Sequence, residues 1–294
     1  MKELFVIANF KPGSVFLLVE INHILEEYEA MGYDLTLRQL YYQMVSRDLI
    51  ENSTGAYKKI GGIVNKARLG GLIDWDMIVD RGRTTKSNSH WENPRNLLMT
   101  AAKAFQIDKW LPQPSHIEVM CEKDALSGVL EPVCRRLDVN FTANKGYSSQ
   151  SAMYEMAKRL EEKEQEGKEI YILYLGDHDP SGIDMSRDIE ERLYLLSSDT
   201  WADNQRLALN IDQINRWKPP ENPAKTTDSR YEAYRREFGT SSWELDAIEP
   251  AELDNLVTKA VIELRDESLW EASVEAEMDM KSKLMQYASR WGTE

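Results

Sequence analysis

The stretch Gly176-Asp177-His178-Asp179-Pro180-Ser181-Gly182 sets two carboxylates one residue apart, directly after the apolar run Tyr171–Leu175. Such oxygens suit a hard cation. Mg²⁺ takes carboxylate and water oxygens, usually one or two carboxylates plus substrate phosphate. Glu122 closes a second apolar run, His116–Cys121, and is a third candidate ligand. Gly176 and Gly182 leave room for backbone or phosphate to come close. Pro180 opens a helix whose positive N-terminal end faces the aspartates, so the implied substrate carries phosphate. The plain alternative is two solvated aspartates capping a helix. An EF-hand loop fits less well, because a strand precedes and Ser181 and Asp188 stand at the fifth and twelfth positions. His178 is expected to be exposed and receives no role. Asp184 reads as either an outer carboxylate or a solvated helix residue.

A second constellation lies far upstream, in LTLRQLYYQMVSRDLI (residues 35–50). A tyrosine phenolate attacking a phosphodiester forms a covalent phosphotyrosine and conserves the bond energy for rejoining. Tyr has an ordinary pKa of about 10 and needs help to ionise. Arg38, one turn before Tyr42 on the same helix face, offers a positive charge. The alternative is that Tyr41 and Tyr42 are core aromatics.

The elements that must position these groups fall into two textures. From Gly13 to Gly32 the apolar residues Val15, Leu18, Ile21, Ile24 and Leu25 share a helical face. Thr36 is a plausible N-cap for a helix to about Asp48. A third helix is expected over Tyr57–Leu69, ended by Gly70-Gly71, and a hairpin over Ile73–Arg83. Three helices and a hairpin resemble a winged helix-turn-helix, which reads DNA with a helix and a wing. A small helical subdomain that binds nothing fits equally.

From Ser115 strands and helices alternate. Strands are expected in HIEVMCEK, ending at Glu122, in DVNFTANKGYSS, which continues into a loop, in EIYILYLGD (residues 169–177) and in RLALNI (residues 206–211), with helices between them. Leu126, Val129, Leu130, Val133 and Leu137 share a helical face, and Pro132 is expected to kink or split that helix. This alternation means a parallel α/β sheet, whose ligands sit beyond the carboxyl ends of the strands. Glu122, Asp177 and Asp179 are thereby brought to one edge. Beyond the sheet a proline-bearing polar loop, a short strand and two helices form an extension.

The bulk numbers constrain the function classes. The 294 residues are 42% apolar and 29% charged, a globular composition. No apolar run approaches the ~20 residues of a membrane span, no signal peptide is read, and the expected location is cytoplasmic. The two cysteines, Cys121 and Cys134, lie among apolar neighbours and read as buried thiols. With four scattered histidines and no Cys-x-x-Cys pair, a zinc site is disfavoured. The net charge of −14 argues against nucleic-acid binding, but it is uneven. Residues 33–95 hold ten Lys or Arg and seven Asp or Glu, a net +3; residues 244–279 hold two and twelve, a net −10.

Glu122 in CEKDAL, then GYSS, then GDHDPSG resembles a Toprim domain. More closely, the chain is similar to the topoisomerase VI A subunit and its relative, the meiotic double-strand-break transesterase. Those proteins carry Arg-x-x-Tyr-Tyr or Arg-x-x-Phe-Tyr in a preceding winged helix, which RQLYY (Arg38–Tyr42) matches. WELDAI resembles a family segment after the Toprim. The whole is most similar to the short, stand-alone Mini-A-like proteins of phages, plasmids and other mobile elements, over roughly residues 35–265.

The resemblance implies an α/β fold: a winged-helix domain over residues 1–100, then a Rossmann-like Toprim domain with a helical C-terminal extension over 101–294. It implies Tyr42 as nucleophile, Arg38 and Lys123 as auxiliaries, and Mg²⁺, with Mn²⁺ as substitute, on Glu122, Asp177 and Asp179. The implied partners are double-stranded DNA, a second copy of the chain whose metal site serves Tyr42, and a separate ATPase B-type subunit. No membrane is implied, and the setting is a prokaryotic nucleoid or a mobile element. The implied reaction is DNA cleavage, with or without rejoining, through a 5′-phosphotyrosyl link. A hydrolytic Toprim nuclease and a non-catalytic DNA-binding module are the alternatives.

Overall fold

A computed structural model describes residues 1–79, 88–197 and 201–291. Four helices come first: α1 (Pro12–Ala30), α2 (Leu37–Ser46), α3 (Thr54–Leu69) and α4 (Pro94–Ala104). Pro12 opens α1, as a residue lacking an N–H can at no cost. Thr36 caps α2 in a reciprocal box with Gln39, and Ser53 caps α3. Leu18, Ile21, Ile24 and Leu25 of α1 meet Leu40, Met44, Ile60 and Val64 in one apolar core. Val15, expected on the buried face, is exposed in the first turn, and Leu17 is buried instead. α4 spans residue 100 and packs against the last helix, α11 (Glu267–Arg290).

The hairpin expected over Ile73–Arg83 does not form in its described part. Residues 73–79 are turns, with a single parallel bridge from Ile78 to Leu35. Arg68 donates to the carbonyls of Trp75 (2.7 Å) and Ile78, which a β-ladder would have needed. Residues 80–83 lie outside the described residues.

The second half is built on strands β1 (Ser115–Cys121), β2 (Asn140–Ala143), β3 (Glu169–Leu175) and β4 (Ala202–Ala208). They form one parallel sheet in the order β2-β1-β3-β4. Helices α5 (Ser127–Leu137), α6 (Gln150–Gln165) and α7 (Pro180–Leu196) connect them. The fold is therefore mixed α/β with a four-stranded parallel sheet. Both sheet faces are covered. Val119, Leu173 and Leu175 meet α5 and helix α10 (Pro250–Glu263) on one side, while Ile172 and Tyr174 meet α6 and α7 on the other. α5 runs unbroken through Pro132; the expected irregularity lies a turn earlier, where a 3₁₀ turn over Asp124–Leu126 joins it. β4 begins at Ala202, ahead of the expected start.

After β4 come α8 (Ile211–Trp217), α9 (Tyr231–Phe238) and an antiparallel ribbon of β5 (Glu221–Pro223) and β6 (Ser241–Trp243). A 3₁₀ turn over Leu245–Ala247 follows and packs against α2. Tyr41, Tyr42, Ala56 and Ala247 form a small apolar cluster where the helical part meets this turn. Tyr28 also donates to Glu249, and Asn52 donates to the Glu221 carbonyl (3.0 Å). No helix among the described residues is long and apolar enough to cross a membrane.

Candidate functional site

The strand-end carboxylates sit where β1 and β3 stop. The Glu122 amide donates to the Leu175 carbonyl (2.9 Å), continuing the ladder one residue past the strand. Glu122 Oε2 then accepts the Asp177 amide (2.8 Å), so the two acids share one buried corner. Burial, and secondarily Asp177, push the Glu122 carboxyl up to about 7. Burial also raises Asp177, against the opposing charge of Lys123. Both acids thus sit where positive charge is wanted.

Asp179 is differently placed. It is the N-cap of α7, with Oδ1 accepting from the Gly182 amide (2.7 Å) and the Ser181 hydroxyl (2.8 Å). Pro180 follows as the first helical residue, as expected. The glycines serve close backbone packing. A Cβ on Gly182 would lie 2.2 Å from the Asp177 carbonyl oxygen, and one on Gly176 would lie 2.9 Å from Glu122 Oε2.

Two site-forming groups escaped the sequence reading. Arg206 on β4 donates to the carbonyls of Gly182 (2.8 Å), Gly176 (3.1 Å) and Asp177 (2.6 Å), and so holds the whole loop in shape. The other group is the acidic pair Glu244 and Asp246. His178 and Trp243 exchange backbone hydrogen bonds of 2.9 and 3.0 Å, which pins the end of β6 beside the loop. The Leu245 amide then donates to Asp177 Oδ1 (2.8 Å). Leu245 is buried in the core, so its two acidic neighbours are delivered to the carboxylate edge. The signal was present in WELDAI: two acids flanking a leucine at the head of the most acidic stretch of the chain.

His178 is not exposed. It is 1% accessible, its Nδ1 lies 2.8 Å from the Tyr234 hydroxyl, and its ring packs edge-on to Phe238 and Trp243. The apolar surroundings hold its pKa down to about 4, so it is neutral at ordinary pH. Asp184 is neither an outer carboxylate of this site nor simply solvated. It accepts from Tyr147 (2.8 Å) and pairs with Arg187 and Arg230.

Lys123 lies among the acids. Its Nζ is 2.7 Å from Asp177 Oδ2, 2.8 Å from Glu244 Oε2 and 3.7 Å from Asp246 Oδ2. Burial opposes its charge, but these three carboxylates outweigh it and raise its pKa. Arg38 reaches the same acids from α2, through an ion pair with Glu244 and an Nε contact of 3.1 Å to Asp246 Oδ2. Asp246 is buried, and its Oδ1 has no hydrogen-bond partner among the described residues.

Tyr42 and Glu244 line one pocket of about 320 Å³ with Arg38, Tyr41, Tyr57, Asn52 and Asn222. The Arg38 guanidinium stands 5.7 Å from the Tyr42 ring centroid. Burial first, then Glu244, push the Tyr42 phenol up to about 12, while Arg38 works the other way. Tyr41 instead donates to Asn52 Oδ1 (2.9 Å) and the Ser53 carbonyl (3.2 Å), a bracing role. Tyr42 therefore meets a carboxylate of its own chain, Glu244. Cys121 and Cys134 are buried and unbridged.

The oxygen donors of Glu122 and Asp177 match a hard cation in type. Yet among the described residues no group of three or more His, Cys, Asp or Glu side chains is arranged to hold a metal ion. Asp179 Oδ1 is turned into the α7 cap, and the Lys123 ammonium already lies on Asp177. The chain matches no protein-family model, and no curated protein matches it.

Proposed function

We propose that the chain is a DNA-cleaving transesterase similar to the topoisomerase VI A subunit, with Tyr42 as nucleophile. One observation carries the reading. A helix in the first fifty residues sets Arg38 and Tyr42 against Glu244, which pairs with Lys123, itself ion-paired to strand-end Asp177. A tyrosine, two cations and a carboxylate edge from distant sequence thus converge within one chain, where the resemblance implied that the site of a second copy serves Tyr42; core packing of two tyrosines does not require that convergence.

In this reading Tyr42 loses its proton to solvent and its oxygen attacks a backbone phosphorus. The bond from phosphorus to the 3′ oxygen breaks, and the leaving oxygen takes up a proton, leaving a 5′-phosphotyrosyl link. Arg38 and Lys123 hold non-bridging oxygens and orient the phosphate. Glu122 and Asp177, with the free oxygen of Asp179, are the residues that would hold Mg²⁺ or Mn²⁺. The ion would supply positive charge against the phosphate. Duplex DNA is the substrate and a second copy of the chain the partner for the second strand. A separate ATPase subunit is proposed only for strand passage.

A hydrolytic nuclease is the second reading. The observation favouring it is the Tyr42 phenol itself, 4% accessible and pushed up to about 12. Covalent trapping separates the readings. Supercoiled DNA is incubated with the protein and Mg²⁺ or Mn²⁺, then denatured. Protein retained on 5′ ends supports transesterification; free ends, still cut by Tyr42→Phe, support hydrolysis.

A further inference from the structure

Arg38 has two carboxylate partners of opposite character. Asp246 takes the Nε side at 3.1 Å and is 2% accessible. Glu244 takes the terminal Nη2 and is 24% accessible, while the Arg38 side chain is 46% accessible. Lys123 is divided in the same way, with buried Asp177 at 2.7 Å and Glu244 at 2.8 Å. Each cation therefore has a buried carboxylate close by, Lys123 also lying 3.7 Å from Asp246, and both share a single outer anion. That anion is one carboxylate, Glu244, facing the pocket that holds Tyr42.

A guanidinium and an ammonium converging on one carboxylate oxygen, Glu244 Oε2, form a pattern that a non-bridging phosphate oxygen also fits. We propose that Glu244 is an internal stand-in for the phosphodiester: Arg38 and Lys123 form a phosphate subsite that Glu244 closes until a nucleic-acid phosphate displaces it. The proposal rests on the reading of this site as a DNA-cleaving one, and it adds a built-in competitor that neither the motifs nor the resemblance assigned. Asp246 and Asp177 keep the two cations aimed after Glu244 swings out. Two buried anchors explain why the cations would not collapse when the outer anion leaves. The pocket of about 320 Å³ that Glu244 lines with Asn222 and Tyr57 gives its carboxylate space to move into. The displaced carboxylate would remain beside Tyr42, so phosphate entry and the freeing of Arg38 are one event.

The exchange predicts that removing the competitor tightens phosphate binding. Binding of a short DNA duplex is measured in EDTA at low salt, where neither metal nor cleavage contributes. Glu244→Gln should bind roughly three- to tenfold more tightly than the unaltered chain. Its salt dependence should steepen by about one released counterion. The gain should vanish in Arg38→Gln/Glu244→Gln, because the subsite is then incomplete. Far-ultraviolet dichroism and the melting temperature check that each variant is folded. If Glu244→Gln does not fold, Glu244→Asp replaces it. Its shortened carboxylate reaches the cations less well, and a smaller gain is expected. Unchanged or weaker binding by the folded variant overturns the proposal, as does a gain that survives loss of Arg38. Because the assay reads no cleavage, its failure is distinct from failure to form a phosphotyrosyl link.

Discussion

The amide of Leu245 donates to Asp177 Oδ1 at 2.8 Å, so the loop after β3 and the turn after β6 are fixed to each other at the carboxylate edge. That single bond orients Asp177 toward Lys123 and sets Glu244 and Asp246 on either side of it. Lys123 is then the cation neutralising a mostly buried group of acids. Lys123→Ala should cost about 3–5 kcal/mol, because unpaired buried charge is left behind. Melting measured by calorimetry should fall accordingly, and Mg²⁺ should restore part of the loss by taking the vacated charge position. An unchanged melting temperature would contradict this role.

Asp179 separates capping from charge. Asp179→Asn keeps an oxygen for the Gly182 amide, so its stability should stay within about 0.5 kcal/mol of the unaltered chain. Asp179→Ala removes the cap and should lose about 1 kcal/mol. Both should lose the metal-dependent rise in melting temperature if Asp179 is a ligand. A full metal response in Asp179→Asn would show that the residue is only a cap.

Gly182 answers a steric question. A Cβ there would fall 2.2 Å from the Asp177 carbonyl oxygen, a backbone atom further held by Arg206. Gly182→Ala should therefore destabilise by about 1–3 kcal/mol through overpacking. Chemical denaturation measures it, and a neutral outcome would mean the loop yields more easily than its hydrogen bonds imply.

Glu118 supplies a pH dependence away from the site. It is buried on β1 and bonded through both carboxylate oxygens to Arg159, at 2.7 and 2.8 Å. Burial alone would raise its pKa, but Arg159 and His116 outweigh it and hold the value down to about 2, from an ordinary 4.5. A depressed acid stabilises the fold fully above its unfolded value and loses that contribution as pH falls through the folded one. With Arg159 partly exposed, the contribution is about 2–3 kcal/mol. Glu118→Gln should thus be less stable than the unaltered chain at pH 7, with the gap closing between pH 4.5 and 2. A gap that persists at pH 2 would contradict the assignment.

The parallel sheet, the helices between its strands and the capping of α2 by Thr36 were legible because period and caps are local signals. Leu130 and Val133 declare their face to anyone counting by threes and fours. The outcome for residues 73–79 was not legible, since it turns on Arg68 capturing two carbonyls from a neighbouring helix. His178 misled for the same reason. Its burial depends on Tyr234, Phe238 and Trp243, more than fifty residues downstream. Within the site, Glu122 and Asp177 could be paired from strand order alone. Glu244, Asp246 and Arg206 could not, because their arrival depends on a ribbon bridge and on loop carbonyls that no spacing encodes.

The central claim is that Tyr42 makes a covalent bond to DNA. Purified protein is incubated with supercoiled DNA and Mn²⁺, denatured with detergent, digested with nuclease and mapped by mass spectrometry. A nucleotide remnant on the peptide containing Tyr42, absent from Tyr42→Phe and from Asp177→Ala, is the predicted result. Cleaved DNA with free ends and an unmodified Tyr42 peptide would contradict it.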